Sequence, residues 1–396
     1  MKKSAINKNV VHLALAQALM MSVNTLLLTA SSILGFEIAD NKALATLPLA
    51  IQFFATMLTS IPASLMMNRL GRRNGFIFSS IVGLVGSLLA IYAVTQHSFV
   101  LFCVSTALFG IYTGFGNYFR FVATEVATPG HSQTAISYVL AGGVLAAFIG
   151  PNLANYSKDA FEIAYLGSFI AVFILYIVNL FNILMIDLPK PVNRALNAYS
   201  RSLREIAIQP KFIVALLAAG IGFSMMSLLM TATPLSMKHH ELPFSDVAFV
   251  IQWHVLGMFA PSFFTGHLIK RFGVDRIIFI GGLLILACIA INLSGTSLWH
   301  YWLALFSLGL GWNFMFIGGT SMLTQTYNEA EKAKTQALND FVIFTAVAFA
   351  SLGAGVLQYQ LGWVMVNISV APFILISLFS VLWLKTQPTE QATAND

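Results

Sequence analysis

The stretch Ser64-Leu65-Met66-Met67-Asn68-Arg69-Leu70-Gly71-Arg72-Arg73 lies between two long apolar runs, and a related stretch occurs 202 residues later. That second stretch is Gly266-His267-Leu268-Ile269-Lys270-Arg271-Phe272-Gly273-Val274-Asp275-Arg276. In both, an arginine stands two positions before a glycine, and further basic residues follow. Glycine has the backbone freedom that a tight turn needs. We therefore predict that Gly71 and Gly273 form equivalent turns, each flanked by cations.

Apolar runs like those beside the two turns fill most of the chain. Of its 396 residues, 58% are hydrophobic and 9% are charged, and the mean hydropathy is +0.80. Soluble domains carry about 25% charged residues, and about 20 apolar residues cross a bilayer as a helix. The predicted fold class is an all-α membrane protein with twelve transmembrane helices. Its predicted spans are 10–34, 44–67, 75–95, 98–122, 133–156, 161–187, 211–236, 244–269, 276–296, 299–325, 334–358 and 361–384.

The basic residues give these spans an orientation. If the N-terminus is cytoplasmic, 18 of the 21 lysines and arginines fall at cytoplasmic ends, and only Lys42, Lys158 and Lys238 fall outside. Cytoplasmic loops of membrane proteins carry an excess of Lys and Arg. The expected location is therefore the cell inner membrane, with both termini in the cytoplasm. The net charge of +6 follows from this bias, so no nucleic-acid partner is expected.

The longest polar break separates two blocks of six spans. We predict an N-terminal half over 1–187, a cytoplasmic central loop over 188–210 and a C-terminal half with a short tail over 211–396. Four basic residues with amphipathic spacing in the loop predict a short helix on the membrane surface. At the same offset of 202 residues that relates the two turns, Thr29 aligns with Thr231. Because the same offset aligns residues in a helix and in a loop, the chain is predicted to consist of duplicated six-helix halves.

The stretch from Ser64 to Arg73 resembles the signature between the second and third helices of the major facilitator superfamily. That signature reads Gly, three residues, Asp, a basic residue, any residue, Gly and basic residues; here Ser64 and Asn68 replace the leading Gly and the Asp. The resemblance implies a secondary transporter whose two halves rock around a site at the middle of the bilayer. It also implies a gating role for Asn68, Arg69, Gly71, Arg72, Arg73, Arg271 and Gly273, with the alternative that the arginines only set the topology.

Ionisable residues inside a membrane span are costly and are functional candidates for that reason. Asp340 lies about 9 Å beyond Lys334 along its helix, and Arg120 lies about 8 Å before Glu125. We predict that Asp340 is a proton carrier or gate partner, although pairing with a loop arginine would also explain it. Arg120 is predicted to bind an anion or pair with a charge, with snorkelling to the interface as the alternative. At an offset of 202, Asp340 corresponds to Tyr138, and Arg120 corresponds to Met322.

A wider set of polar and aromatic residues is predicted to contact substrate. The resemblance implies that the first, fourth, seventh and tenth helices line the central cavity. The candidates are Gln17, Asn24, Asn117, Tyr118, Tyr138, Trp253, His254, Trp312, Asn313 and Asn339. Each of them could instead form hydrogen bonds between helices or pack. His254 could be a proton site or a satisfied core histidine.

The direction of transport is suggested by the fifth helix. Gly142, Gly143, Gly150 and Pro151 resemble the glycine-rich signature of proton-coupled exporters, although small residues also allow close helix packing. No phosphate loop, metal-ligand spacing or nucleophile elbow occurs, so we expect no enzyme, cofactor or metal. We expect a monomer in the lipid bilayer that uses protons for efflux of a small amphipathic organic compound. Uptake of a nutrient or metallophore, and a non-transporting membrane receptor, remain alternatives.

Overall fold

A computed structural model describes residues 7–128, 132–188, 201–328 and 330–387. Within these ranges every regular element is a helix. Most of the predicted surface helix in the central loop, including Lys190 and Arg194, lies outside the described residues, as does the C-terminal tail from residue 388 onwards. The first half of the chain contains α1 (Lys8–Ile38), α2 (Leu47–Leu70), α3 (Arg72–Thr95), α4 (Phe99–Gly116), α5 (Phe119–Val126), α6 (Ser132–Ser157) and α7 (Leu166–Leu184). The second contains α8 (Leu203–Ala207), α9 (Pro210–His239), α10 (Phe244–Phe259), α11 (Ser262–Phe272), α12 (Val274–Ser294), α13 (Leu298–Leu323) and α14 (Lys332–Leu384).

These helices form twelve spans over the described ranges, which confirms the predicted all-helical membrane fold. Helices α4 and α5 together form one span, and α10 and α11 form another that bends by 44°. Helix α14 is long enough for two spans and is broken at Gly362, whose φ of 75° and ψ of 177° are not helical. The bend between α10 and α11 follows Pro261, which cannot continue the helical hydrogen bonds.

The two turns predicted from the repeated stretch have the same backbone conformation. Gly71 joins α2 to α3 with φ 92° and ψ 151°, and Gly273 joins α11 to α12 with φ 89° and ψ 148°. Side-chain-bearing residues rarely adopt this region, whereas glycine enters it freely. The prediction of equivalent glycine turns is confirmed.

The repeat does not keep one offset along its whole length. Helix α12 has 21 residues and α3 has 24, so the following helices are shifted by three positions. Ser98 and Ser297, the N-caps of α4 and α13, are 199 residues apart. The counterpart of Arg120 is therefore Gly319, and the alignment with Met322 at an offset of 202 was wrong.

The two halves meet most closely at one end of the bundle. There the Lys238 ammonium forms an ion pair of 2.7 Å with Glu37, and the Asn152 amide donates to Gln252 at 2.6 Å. Lys42 lies at this end as well, with its ammonium 5.5 Å from the ring of Phe36. We call it the Lys42 end, and we call the opposite end, with the turn at Gly71, the Arg72 end.

The described ion pairs at the Arg72 end do not join the two six-helix bundles. Arg72 pairs with Glu125 at 2.9 Å inside the first half, and Arg201 of the central loop pairs with Glu331 of the second half at 2.8 Å. The described hydrogen bonds between the halves lie at the Lys42 end or in the middle, where Thr345 donates to the sulfur of Met57 at 2.8 Å. The structure is therefore closed at the Lys42 end.

Candidate functional site at the centre of the bundle

A polar cluster occupies the middle of the first half. The side-chain oxygen of Asn24 in α1 accepts a hydrogen bond from the Gln52 amide of α2 at 2.9 Å. The Thr113 hydroxyl of α4, which donates to the Phe109 carbonyl at 2.9 Å, lies 3.4 Å from the same Asn24 oxygen. All three residues lie well inside apolar helices, where a polar group needs a partner. Each helix thus contributes one member, and we call Asn24, Gln52 and Thr113 the polar cluster.

An aromatic cluster occupies the middle of the second half. It consists of Phe223 in α9, Phe259 in α10, Trp312 and Phe316 in α13, and Phe344 in α14. The rings of Trp312 and Phe316 are stacked, with centroids 5.0 Å apart and planes 10° apart. Phe223 lies edge-on to both at 5.5 Å and to Phe344 at 5.9 Å. Edge-to-face and stacked pairs of this kind hold rings in fixed orientations.

One member of each cluster occupies an equivalent position in the duplicated halves. At the offset of 199 residues, Trp312 corresponds to Thr113, and Phe316 corresponds to Asn117. The same positions are thus polar in the first half and aromatic in the second. The halves also approach each other here, because a Cβ on Gly143 of α6 would come within 2.6 Å of the Phe259 ring. The centre of the bundle is therefore amphipathic, with a polar side and an aromatic side.

The two predicted intramembrane charges lie close to each other across the halves. Arg120 of α5 and Asp340 of α14 interact electrostatically, and Tyr118 interacts with both. The described ion pairs do not include this one, so the two groups attract without direct contact. Asn339 donates to the Asp340 carboxylate at 3.1 Å, while the buried Nε of Arg120 has no hydrogen-bond partner. This arrangement favours charge pairing of Arg120 over snorkelling.

Asn313 was predicted to contact substrate, but in the structure it forms hydrogen bonds to α10 and α11. Its amide nitrogen donates to the Met258 carbonyl at 2.6 Å and to the Ser262 hydroxyl at 2.7 Å, and its oxygen accepts from Thr265 at 2.6 Å. These partners lie on both sides of the bend between α10 and α11. Three hydrogen bonds use most of the capacity of an amide group. Asn313 therefore holds the bend, and its contacts in this structure are structural ones.

Trp253 and His254 are also set apart from the central clusters. The Nδ1 of His254 lies 2.7 Å from the Leu305 carbonyl oxygen, and its ring is fully buried between α10 and α13. Trp253 packs edge-on against Trp302 at 5.8 Å, next to Trp299, which is 67% exposed. None of these partners belongs to the polar or the aromatic cluster. The structure thus does not bring Trp253 and His254 to the central site.

Three further candidates have few described contacts. Gln17 is buried in α1, and Asn117 caps the end of α4. Tyr138 of α6 is 45% exposed. The described contacts do not assign these three residues to the polar or the aromatic cluster.

Some of the predicted gating residues contact other helices, and others are exposed. Arg72 donates to Glu125 through Nη2 at 2.9 Å, and Arg73 donates to the Leu184 carbonyl at 2.6 Å. The two arginines therefore tie α3 to different helices of the first half. Asn68, Arg69 and Arg271 are exposed, and the Arg271 guanidinium lies over the ring of Phe272.

The sequence did not identify the partners that complete the site. Gln52 and Thr113 were missed because isolated polar residues are common in spans, and their pairing with Asn24 depends on tertiary packing. The four phenylalanines of the aromatic cluster were missed because the chain contains 33 phenylalanines, most of them in apolar runs. The spacing of Trp312 and Phe316, one helical turn apart, was the available signal.

Comparison with known proteins gives the family context of this arrangement. The family model described as Major Facilitator Superfamily matches residues 13–312 and 215–396. The chain is 37% identical over 388 residues to the riboflavin transporter RfnT of Brucella anthropi, and the match covers 97% of each chain. It is 28% identical over 383 residues to the uncharacterized MFS-type transporter YddS of Bacillus subtilis, covering 92% of this chain and 88% of that one.

Solved structures show the same fold at low sequence identity. The nucleoside transporter NupG superposes with a TM-score of 0.72 at 11% identity, covering 95% of this chain and all 100% of NupG. A bacterial homologue of the human lysosomal transporter Spinster gives a TM-score of 0.70 at 16% identity, covering 95% and 96% of the two chains. These similarities concern the fold alone.

Proposed function

The chain belongs to the Major Facilitator Superfamily and is a secondary transporter, not an enzyme, and on that premise we propose that it carries riboflavin or a closely related flavin into the cell. The observation that carries this proposal is the 37% identity to a riboflavin transporter over 97% of both chains. A match of that extent includes every helix that contributes to the polar and aromatic clusters.

The central site suits the chemistry of a flavin. Riboflavin has a flat, fused aromatic ring system, ring carbonyls at one edge and a hydroxylated side chain. Aromatic side chains such as those of Phe223, Phe316 and Trp312 bind flat rings by stacking and edge contacts. Amide and hydroxyl groups such as those of Asn24 and Thr113 suit the polar groups of the same molecule. An amphipathic site matches an amphipathic substrate.

Uptake is proposed over efflux, although the glycines of the fifth span favoured efflux at the level of sequence. Those glycines have packing roles: a Cβ on Gly142 would come within 2.8 Å of the backbone nitrogen of Ala18, and Gly150 lies against Thr25. Close approach of α6 to α1 therefore accounts for them without an exporter mechanism. Riboflavin is a vitamin, and cells that use an external supply need an inward carrier.

We propose proton coupling through Asp340. The carboxyl group interacts electrostatically with a cation, Arg120, on the other half. When the halves rock, the distance between the two groups changes, and a carboxyl group holds its proton differently near a cation than far from one. Loading at one side and release at the other would couple the proton gradient to flavin movement.

Uptake also requires a defined orientation. The bias of Lys and Arg supports an inner-membrane location with both termini in the cytoplasm and the Arg72 end facing inward. The closed Lys42 end would then face outward. We propose that the two halves, over 1–187 and 211–396, move as units joined by the central loop, and that the carrier works as a monomer.

Binding tests the proposed substrate directly. Purified protein in detergent is titrated into riboflavin, and quenching of flavin fluorescence is followed, with uridine as a nucleoside control. We expect saturable quenching by the folded protein that an excess of uridine does not reverse. Absence of saturable binding by folded protein would exclude riboflavin as the substrate.

A further inference from the structure

The indole nitrogen of Trp312 is a hydrogen-bond donor without a partner. It is buried, the whole side chain is only 6% exposed, and its surroundings are the rings of the aromatic cluster. A buried donor that lacks an acceptor is costly, and such groups in native structures call for an explanation. Phenylalanine would fill the same kind of apolar space without that cost.

Two other tryptophans in the described residues have buried indole nitrogens without partners, and their positions differ. Trp302 is the fifth residue of α13, and Trp363 directly follows the break at Gly362. Both lie at the Lys42 end, where a membrane surface would be, and tryptophan is enriched at such surfaces. Trp312 is in the middle of its span, where neither headgroups nor a membrane surface supplies an acceptor.

The orientation of the Trp312 donor is fixed by its neighbours. The ring is stacked on Phe316, and the rings of Phe223 and Phe259 lie edge-on to it at 5.5 and 6.1 Å. At the equivalent position of the first half, the Thr113 hydroxyl donates to the Phe109 carbonyl at 2.9 Å and is satisfied within the protein. The second half thus holds an oriented donor with no protein acceptor, among rings that bind flat molecules.

We propose that Trp312 determines specificity by donating its indole N–H to a ring carbonyl of the transported flavin. The inference rests on the proposed function, and it adds the atom that distinguishes a flavin from an aromatic hydrocarbon of the same shape. A carbonyl in the plane of a stacked ring presents an acceptor at the ring edge, where an indole N–H can reach it. The donor is covered in the present state, so the contact forms as the halves rearrange around the ligand.

The test compares Trp312→Phe with Trp302→Phe and Trp363→Phe, which remove an unpartnered indole away from the cluster. Affinity is measured from the quenching of riboflavin fluorescence, directly for riboflavin and by competition for 2-thioriboflavin and 4-thioriboflavin, in which sulfur, a weaker acceptor, replaces one ring carbonyl oxygen. For the parent protein we expect one thio-analogue to bind about tenfold more weakly than riboflavin. Trp312→Phe should weaken riboflavin binding by a similar factor and abolish the difference, whereas the two controls should retain the parent pattern.

The outcomes separate this inference from the proposed function. Equal binding of riboflavin and both thio-analogues by the parent protein would overturn the hydrogen bond, and this measurement needs no variant to fold. An equal loss of affinity for all three flavins in Trp312→Phe would show a packing role only and would also overturn it. If the parent protein binds no flavin at all, the proposed function fails first.

Discussion

Asp340 and Arg120 are 220 residues apart in the chain and belong to opposite halves, yet their charges interact. The sequence could single out each one, because a charge inside an apolar run is rare and expensive. Their proximity depends on how α5 and α14 face each other, and no local pattern carries that information. Tyr118, predicted separately, joins the same pair.

The coupling role of Asp340 predicts a specific defect. Asp340→Asn should retain flavin binding and downhill exchange but lose accumulation driven by a pH gradient, because an amide cannot carry the proton. Binding, counterflow and pH-driven flux are measured on the same reconstituted variant. Asp159→Asn, at a side chain that is 76% exposed, is the control and should behave as the parent. Survival of pH-driven flux in Asp340→Asn would remove this residue from the coupling step.

A substitution of Gly71 should lower stability through backbone strain, without a steric clash. A Cβ at Gly71 would meet no atom within 4 Å, but its φ of 92° is strained for other residues. Gly71→Ala should therefore destabilise the protein by about 1–3 kcal/mol. Gly266→Ala is the matched control, since Gly266 also has free space and lies inside helix α11. Thermal unfolding in detergent checks the difference, and equal stability of the two variants would contradict it.

At the scale of elements, the eighth span shows what the sequence could and could not provide. Its length and polarity predicted one helix over 244–269, and that prediction did not include the bend at Pro261. The bend of 44° is held by Asn313, a residue of the tenth span that the sequence assigned to substrate contact. An amide in a span signals a hydrogen-bond partner, and only the packed structure shows that the partners of Asn313 lie on both sides of this bend.

The end of the central loop is fastened to the second half by a salt bridge that the sequence did not reveal. The backbone N–H and the side chain of Arg201 both donate to the Glu331 carboxylate, at 2.7 to 2.9 Å. Arg201 also donates to the Thr326 carbonyl at 2.9 Å. The Glu331 side chain is fully buried, so it depends on these donors. The contact ties the loop to the connection between α13 and α14.

This salt bridge predicts acid sensitivity. Hydrogen bonds from Arg201 lower the pKa of Glu331 from 4.5 to about 2. The contribution of Glu331 to stability is therefore complete above pH 4.5 and is lost as the pH falls toward 2. Glu331→Gln should flatten the decline of the thermal midpoint between about pH 5 and pH 3, whereas Glu241→Gln should leave it unchanged. A decline as steep as that of the parent would contradict the assignment.

At the scale of the whole molecule, the sequence predicted the helix count and the duplicated halves, because both follow from apolar length and from repeated turns. The relation between the halves at the site was mispredicted, since a helix shorter by three residues changes the offset to 199. That shift is what pairs Trp312 with Thr113. The asymmetry between a polar and an aromatic half could therefore be seen only once the helices were placed.

The orientation can be tested by accessibility. A single cysteine at Arg204 and a reporter fused after Lys385 should both report the cytoplasm, whereas a cysteine at Asp159 should be labelled from outside. Cys103 and Cys288 are buried, so background labelling should be low. Labelling of the Arg204 position from outside in intact cells would reverse the proposed orientation.

Uptake of labelled riboflavin tests the central claim most directly. The chain is expressed in bacterial cells that neither synthesise nor import riboflavin, and accumulation is followed against an empty vector. We predict time-dependent uptake of the labelled riboflavin. Unlabelled riboflavin should compete with this uptake, and collapse of the proton gradient should abolish it. No uptake above the vector at confirmed membrane abundance, or a faster loss of preloaded riboflavin from the expressing cells, would contradict the account.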